Sequence, residues 1–251
     1  MFIFLSALCI IAEIFAVRHY MKIMYPVIGP KTLFSKLLCS ALFVLLALFG
    51  ILNSGGINGF SIFMLIGFLC SFLGDGFLHM YPKLGSVYVN YILGGLSFLS
   101  GHIFFITAIL KADRAVFPDT PMFPAKQLIA AALLDFAVIA VMLLCKLKLG
   151  KFLAPVAVYA FALMMTVVKA FSLGTAFMSA GSLITVVFSL TLGLGSSLFA
   201  ASDLVLASDF FTGGKDIKKK KANIILYYCG QMLMALSVMF SAVSIYFVPT
   251  V

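Results

Sequence analysis

The sequence predicts an all-α integral membrane protein, a single transmembrane domain over residues 1–251 with about eight helices. Hydrophobic residues make up 64% of the 251 residues, charged residues make up 10%, and the mean hydropathy is +1.21. A water-soluble domain could not keep that much apolar surface away from water. The apolar runs are long and unbroken, which favours helices, because the strands of a membrane barrel alternate and are about 10 residues long.

Polar, proline-containing or glycine-containing breaks divide the chain into apolar segments of about the 20 residues that cross a bilayer core. The predicted spans are 2–17, 33–52, 58–79, 87–110, 127–145, 152–171, 180–207 and 223–247. The breaks between them read RHYMKIMYPVIGPK, LNSGGING, MYPKLGS, KADRAVFPDTPMFPAK, KLKLGK, SLGTAFMSAG and SDFFTGGKDIKKKKAN. The first segment lacks the basic start and the cleavage site of a signal peptide, so we expect it to be a retained span.

The basic residues are distributed unevenly between the two sets of loops. The first, third, fifth and seventh loops hold Arg18, Lys22, Lys31, Lys83, Lys146, Lys148, Lys151, Lys215 and Lys218 to Lys221, whereas the even loops hold only Lys111, Arg114 and Lys126. By the positive-inside rule, the odd loops face the cytoplasm and both termini face away from it. The net charge of +9 then reflects loop bias and attraction to anionic lipid, not a nucleic-acid partner. The expected location is a bacterial inner membrane or the eukaryotic endoplasmic reticulum.

Ionisable residues inside membrane spans are costly, and each is therefore a candidate for a functional role. The predicted spans contain Glu13, Lys36, Asp75, His79, His102, Asp135, Lys169 and Asp203. Lys169 lies at the outer end of its span and can snorkel to the interface. The carboxyl groups of Asp75 and Asp203 are too short to snorkel far, although both lie near the cytoplasmic ends of their spans. For Glu13 a functional role and simple snorkelling are equally plausible.

Several of these residues belong to polar stripes at helical spacing. The stripes are Ser71, Asp75 and His79 on the third helix, Ser196 and Asp203 on the seventh, and Asn223, Tyr227 and Gln231 on the eighth. They predict a shared hydrated cavity in the cytoplasmic half of the bundle. The alternative is a set of interhelical hydrogen bonds that only hold the bundle together. His102 could act beside Asp75 only if the fourth helix starts late or tilts.

Four segments on these helices resemble the signatures of a known family of membrane proteins. They are CSFLGDGFLHM (Cys70–Met80), GGLSFLSGHIFF (Gly94–Phe105), SSLFAASDLVLA (Ser196–Ala207) and YYCGQMLMALS (Tyr227–Ser237). In this order they are similar to the YhhN, or lysoplasmalogenase, family, and a lysine that opens the second helix, here Lys36, also fits. The proline that follows this lysine in the family pattern is absent. His79 and Asp135 are not part of the pattern.

The resemblance implies hydrolysis of the vinyl ether bond of a lysoplasmalogen, within the bilayer, to a fatty aldehyde and a glycerophospho-alcohol. It places Asp75 and Asp203 as the catalytic residues and Lys36, His102, Tyr227 and Gln231 as substrate-binding or supporting residues. No cofactor or metal is expected. The sequence leaves the oligomeric state and the headgroup preference open.

The chemistry of a vinyl ether suits two carboxyl groups. This bond resists bases and nucleophiles but is cleaved after a proton is added to its β-carbon. The enzyme needs a protonated acid and a second group that stabilises the resulting cation and orients water. Two carboxyl groups in a site of low dielectric constant can divide these roles, as they do in glycosidases. Asp75 and Asp203 are the predicted pair, with Lys36 as the cation that keeps one of them ionised.

Three other functions use the same residues. Metal-assisted hydrolysis would need more histidines than the three in this chain, of which His19 lies in a loop. A proton-coupled transporter could use the carboxyl groups as relays, although the sequence shows neither an inverted repeat nor paired broken helices. An inactive lipid-binding protein is the third possibility. Analysis of lipid products separates the transporter and the lipid-binding protein from a hydrolase of either mechanism, because only a hydrolase releases aldehyde.

The charge distribution gives a prediction for membrane topology. A reporter that is active only in the cytoplasm should stay silent when it is fused to the C-terminus, and it should be active when the fusion point is moved to the fifth loop after Lys151. The measurement is reporter activity in intact cells. A C-terminal fusion that is as active as the loop fusion would reverse the predicted orientation.

Overall fold

The computed structural model describes residues 2–25, 29–80, 87–179 and 181–246, without the side chains of residues 87, 88 and 242–246. These residues form eight helices and no strand, and all eight helices are long and apolar enough to cross a membrane. The predicted fold class is therefore confirmed. Lys83 of the third loop lies outside the described residues, as do Ala180 and Phe247, the outer residues of the predicted seventh and eighth spans.

The helices run further than the predicted spans at half of their ends. They are α1 (Phe2–Ile23), α2 (Pro30–Asn53), α3 (Gly59–His79), α4 (Val87–Val116), α5 (Ala125–Leu144), α6 (Leu153–Met178), α7 (Leu183–Phe211) and α8 (Ile217–Tyr246), with a 3-10 turn at Gly150–Phe152. Hydropathy detects only the apolar part of a helix, whereas the hydrogen-bonded backbone continues into polar residues. Thus α1 continues through Arg18 and Lys22, and α8 begins with the lysine run from Lys218.

The helices differ strongly in how much of their surface is covered by other helices. The most extensive packing is between α7 and α8 and between α3 and α4, and α8 also packs against α2 and α3. Helices α1 and α5 lie at the periphery, where most of their side chains are exposed to the membrane. The polar stripes of α3, α7 and α8 therefore face one another in the interior. We call the end of the bundle that carries the odd loops the odd end.

Helices α7 and α8 cross at two glycines, Gly195 and Gly230. A Cβ atom on Gly230 would lie 2.7 Å from the backbone nitrogen of Phe199, and one on Gly195 would lie 2.8 Å from the backbone nitrogen of Met234. Because the obstacles are backbone atoms, no side-chain movement can make room. Small residues at such crossings let helix backbones approach closely in membranes. This contact fixes the axial position of α8, and with it the position of Tyr227.

The crossing predicts that Gly230→Ala destabilises the protein by about 1–3 kcal/mol, because the added methyl group forces the two backbones apart. The matched control is Gly95→Ala on α4, where an added Cβ meets nothing within 4 Å. Thermal unfolding in detergent should show a lower transition temperature for Gly230→Ala and no loss for Gly95→Ala. Equal transition temperatures for both variants would contradict the close crossing.

Candidate active site

Asp75 is held by three side chains from two neighbouring helices. Its Oδ1 lies 3.0 Å from Nζ of Lys36, and its Oδ2 accepts hydrogen bonds from Ser40 (2.6 Å) and Tyr227 (2.7 Å). Only 1% of Asp75 is exposed. Each partner offers a hydrogen or a positive charge, so the arrangement suits an ionised carboxylate. Helices α2, α3 and α8 are thereby tied together at one point.

A second layer of contacts fixes the partners of Asp75. Tyr228, next to Tyr227 on α8, donates to the main-chain carbonyl of Lys36 at 3.2 Å, and its hydroxyl lies 3.4 Å from Oγ of Ser40. The same helical segment of α2 carries Lys36 and Ser40 at a spacing of one turn, so both side chains point to the same side. The site around Asp75 is a closed network of charge and hydroxyl groups.

Asp203 on α7 has a different set of neighbours. The hydroxyl group of Tyr159 on α6 donates to Oδ2 of Asp203, and Nε2 of His102 on α4 lies 3.9 Å from the same oxygen. The other carboxyl oxygen lies 3.4 Å from the hydroxyl of the adjacent Ser202. Within the described residues, no lysine or arginine forms an ion pair with Asp203. This carboxyl group therefore has fewer charged partners than Asp75.

The orientation of His102 follows from its hydrogen bonds. Thr166 donates its only hydroxyl hydrogen to the carbonyl oxygen of Ala162 at 2.9 Å, and its oxygen lies 3.1 Å from Nδ1 of His102. We therefore assign the ring hydrogen to Nδ1, which donates to Thr166. In the neutral ring, Nε2 then presents a lone pair towards Asp203. This nitrogen is buried and has no hydrogen-bond partner among the described residues.

A cavity of about 610 Å³ opens beside Asp203. Apart from this carboxyl group and the hydroxyls of Tyr159 and Tyr91, its walls are almost entirely apolar. They are formed by α4, α5, α6 and α7 with one residue of α3, and include Phe98, Leu99, Val138, Met142, Phe152, Leu163, Phe210 and Phe211. Phe152 and Phe211 lie at helix ends on the odd side. The cavity therefore extends from the odd end past the level of Asp203, which lies about 12 Å along α7, to Leu99 and Leu163.

A layer of aromatic rings separates this cavity from Asp75. The ring of Tyr227 meets those of Phe98 and Phe199 edge-on, with centroids 5.9 and 5.4 Å apart. Phe199 also contacts His102, at 4.8 Å. Of the two aspartates, only Asp203 lines the cavity. The polar stripes do not form one shared cavity around both carboxyl groups, because aromatic side chains fill the space between them.

The other polar residues singled out in the sequence differ in burial and in hydrogen bonding. His79 shares a hydrogen bond of 2.6 Å with Tyr20 of α1, and Gln231 is fully buried with neither side-chain atom hydrogen-bonded among the described residues. Glu13 is 4% exposed and likewise without a hydrogen-bond partner in the described residues, so its carboxyl group does not reach the surface. Asp135 on α5 is half-buried and does not line the cavity.

The prediction that Lys169 snorkels to the interface is wrong. Lys169 is 1% exposed, donates to the carbonyl oxygen of Met122, and lies 5.1 Å from the centre of the Phe123 ring. Helix α6 ends at Met178 and not near residue 171, so this lysine lies deeper than expected. The fourth loop folds over it and supplies the partners that water would otherwise provide.

His102 pairs with Asp203, and no contact joins it to Asp75. Helix α4 starts at Val87, so His102 lies about 22 Å along it from the odd end. Asn223 donates to the carbonyl of Ser202 at 2.8 Å, which is the interhelical bond expected of a purely structural residue. Within the described residues, no three His, Cys, Asp or Glu side chains cluster as metal ligands would.

Three residues of the site escaped the sequence analysis. Ser40 and Tyr159 bind the two aspartates, and Thr166 orients His102. Tyr159 carries no motif and is a lone tyrosine in an apolar span, which is more often an interface or packing residue. Ser40 lies one turn after Lys36, and this spacing was the one available signal for it.

Eight membrane helices, two buried aspartates with separate polar partners and an apolar cavity beside one of them define a polytopic membrane protein with an intramembrane acidic site. The model of the YhhN family matches residues 32–238, and the chain belongs to the YhhN family. The match covers α2 to α7 and most of α8, and so includes every residue that contacts either aspartate, while α1 lies outside it. No curated protein and no solved structure matches the chain.

The Lys36–Asp75 pair predicts a strong effect on stability. Lys36→Met should cost about 3–5 kcal/mol, because it leaves a buried carboxylate without its counter-ion. Adding Asp75→Asn to this variant should restore much of the loss, since the amide keeps an acceptor for Ser40 and Tyr227 without the charge. Lys31→Met, an exposed lysine of the same helix, is the control. Thermal unfolding that is the same for Lys36→Met and Lys31→Met would contradict the pair's structural role.

Proposed function

We propose that this chain is a lysoplasmalogenase-like hydrolase that cleaves the vinyl ether bond of a lysoplasmalogen. The observation that carries the proposal is the carboxyl group of Asp203 at the wall of an apolar cavity that reaches the odd end of the bundle. Membership of a family that includes lysoplasmalogenases supports it. A cavity of about 610 Å³ lies within the range of roughly 300–1,000 Å³ that is usual for small-molecule sites.

The walls of the cavity suit a single alkyl chain. Leucine, valine, methionine and phenylalanine side chains line it, and its polar groups lie at few positions. Helix α5 contributes Val138 and Met142 but packs mainly against α6 and only marginally against α4. A lipid with one chain can therefore enter sideways between α4 and α5. The vinyl ether of such a lipid is just below its headgroup. It would then lie beside Asp203 in the cavity wall.

In the proposed reaction, Asp203 is the general acid. Its carboxyl group gives a proton to the β-carbon of the vinyl ether, and the electron pair of the double bond forms the new C–H bond. The α-carbon becomes an oxocarbenium ion, to which water adds. The ionised Asp203 takes one proton from this water, and the hemiacetal then breaks into aldehyde and glycerophospho-alcohol. One water is consumed and the acid is regenerated, so no other reactant is needed.

Tyr159 and His102 are the groups that assist Asp203. The Tyr159 hydroxyl is hydrogen-bonded to the carboxyl group and holds its direction towards the cavity. Nε2 of His102 is an acceptor on the same side and lacks any other partner among the described residues. In the proposed mechanism it orients the attacking water and, as the hemiacetal breaks, takes the proton of the hydroxyl group and passes it to the leaving glycerol oxygen. Because Nδ1 carries the ring hydrogen that is donated to Thr166, the lone pair of the neutral ring lies on Nε2.

Asp75 acts in the proposal as a positioning residue. Its carboxylate binds the hydroxyl of Tyr227, whose ring packs against Phe98 and Phe199. Phe98 is part of the cavity wall. Through Tyr227, the Lys36–Asp75 pair therefore determines the position of Phe98 in the cavity wall. Gln231, one turn from Tyr227 on α8, supports the same face.

Three lysines near the opening can bind the phosphate of the substrate. Lys146, Lys148 and Lys151 follow α5 and are exposed at the odd end. Nζ of Lys151 lies 5.6 Å from the ring centre of Phe152, which lines the cavity. A phosphate bound here would leave the alkyl chain pointing inwards past Asp203.

The mechanism predicts that Asp203→Asn lowers aldehyde release from lysoplasmalogen by about 10²–10⁴-fold, because an amide cannot donate an acidic proton. Its thermal stability should stay near that of the unmodified protein. Asp75→Asn should lower both turnover and stability, because it leaves Lys36 unpaired and replaces the charge-assisted bond to Tyr227 with a weaker neutral one. Asp135→Asn, the matched membrane aspartate outside the cavity, should change neither. The measurements are aldehyde release by purified protein and thermal unfolding.

The outcomes separate the hydrolase from its alternatives. Near-normal aldehyde release by a folded Asp203→Asn variant would eliminate Asp203 as the acid. A transporter would be supported if the unmodified protein released no aldehyde but carried out proton-driven uptake of a lipid or small solute into vesicles. Activity that is lost with a chelator and restored by zinc would point to a metal site that involves His102.

A further inference from the structure

A second concave surface lies between α1 and α2 at the odd end, away from the cavity at Asp203. This α1–α2 groove has a volume of about 950 Å³ and is open to the outside. It is lined by His19 and Ile23 at the end of α1 and by the first part of α2, from Pro30 to Leu38. None of these residues contacts either aspartate, so the groove needs a separate explanation.

The polarity of the groove changes with depth. Lys31 lies in the first turn of α2 and is exposed, while Phe34 and Leu38 follow along the same helix with 71% and 46% of their surface exposed. At 1.5 Å per residue, Leu38 lies about 12 Å beyond the start of the helix, at the depth of acyl chains. The mouth is therefore polar and basic, and the deeper wall is apolar.

Ser35 supplies a polar group that points to a ligand. It lines the groove, is 5% exposed, and makes no hydrogen bond within the described residues. Next to it, α2 begins at Pro30 after the N-cap residue Gly29, which offers no side chain as a cap, and its first turn contains no acidic residue. The free N–H groups and positive dipole end of this helix, roughly 7 Å from Ser35 along α2, favour an anion at the mouth of the groove.

The stretch of chain that forms the groove carries only basic charged residues. No aspartate or glutamate occurs between Glu13 and Asp75, whereas Arg18, Lys22 and Lys31 occur at the ends of the two helices that form the groove. Basic residues at a membrane surface attract anionic lipid by about 1 kcal/mol each. The groove thus combines an anion-binding mouth with an apolar wall at membrane depth.

We propose that the α1–α2 groove binds one anionic glycerophospholipid of the surrounding leaflet, with its phosphate at Lys31, His19 and Ser35 and an acyl chain along Phe34 and Leu38. A free phosphate would use only the mouth and would leave the apolar wall uncovered. The proposal does not rest on the hydrolase function, because the groove and the cavity at Asp203 have no lining residue in common.

The test is native mass spectrometry of the purified full chain with phosphatidylglycerol or phosphatidylcholine added in detergent. We expect one bound phosphatidylglycerol that phosphatidylcholine does not replace. Lys31→Gln should weaken this binding about fivefold, and Ser35→Ala and Phe34→Ala should weaken it as well. Lys126→Gln, an exposed lysine at the opposite end, and Leu45→Ala, an exposed leucine of α2 outside the groove, are the matched controls.

Two results would overturn the proposal. One is equal phosphatidylglycerol binding by Lys31→Gln and Lys126→Gln, because the charge at the mouth would then be irrelevant. The other is displacement of the lipid by millimolar inorganic phosphate together with unchanged binding by Phe34→Ala, which would identify a simple anion site. Aldehyde release by the same samples is measured in parallel, so failure of the lipid site and failure of the hydrolase are seen separately.

Discussion

Asp75 is a carboxylate in the interior of a helix bundle that has lipid around it, and this position is possible only because Lys36 lies 3.0 Å away. An unpaired charge at this depth would cost several kcal/mol. A buried ion pair adds little net stability, but it tolerates few alternative arrangements, because each charge must keep its partner. The pair therefore fixes α2 against α3. Through Tyr227, it also fixes the rotation of α8, whose axial position is set by the glycine crossing with α7.

The consequences of that pair extend to the cavity. Tyr227 has its hydroxyl on Asp75 and its ring against Phe98 and Phe199, so one side chain connects the charged network to the cavity wall. The aromatic layer also keeps the two aspartates in different surroundings. Asp75 has a lysine and two hydroxyl groups, whereas Asp203 has a tyrosine, a histidine and an apolar space beside it.

The sequence was sufficient to predict the fold and part of the candidate site. The rest was missed because each sequence pattern reports only one physical property of the chain. Hydropathy finds apolar stretches, so it identified all eight helices but placed the end of α6 seven residues too early, and Lys169 with it. The cost of charge in lipid pointed to Lys36, Asp75 and Asp203. Depth along a helix does not reveal the lateral neighbours, and for that reason the partner of His102 was not found. Tyr159 was missed because burying a hydroxyl group costs much less free energy than burying a charge. A single tyrosine in an apolar span therefore gives no recognisable pattern in the sequence.

The separation of the two carboxyl groups suits the proposed chemistry better than a close pair would. A glycosidase needs its second carboxylate against the sugar ring, because it either attacks or deprotonates water there. Protonation of a vinyl ether carbon needs one acid and a nearby base for water, and in the proposed mechanism Asp203 and Nε2 of His102 take these two roles. A lysine beside Asp203 would stabilise the ionised form and so oppose proton donation. Because Lys36 is bound to Asp75 on the far side of the aromatic layer, it fixes α2 against α3 without acting on the proposed acid, Asp203.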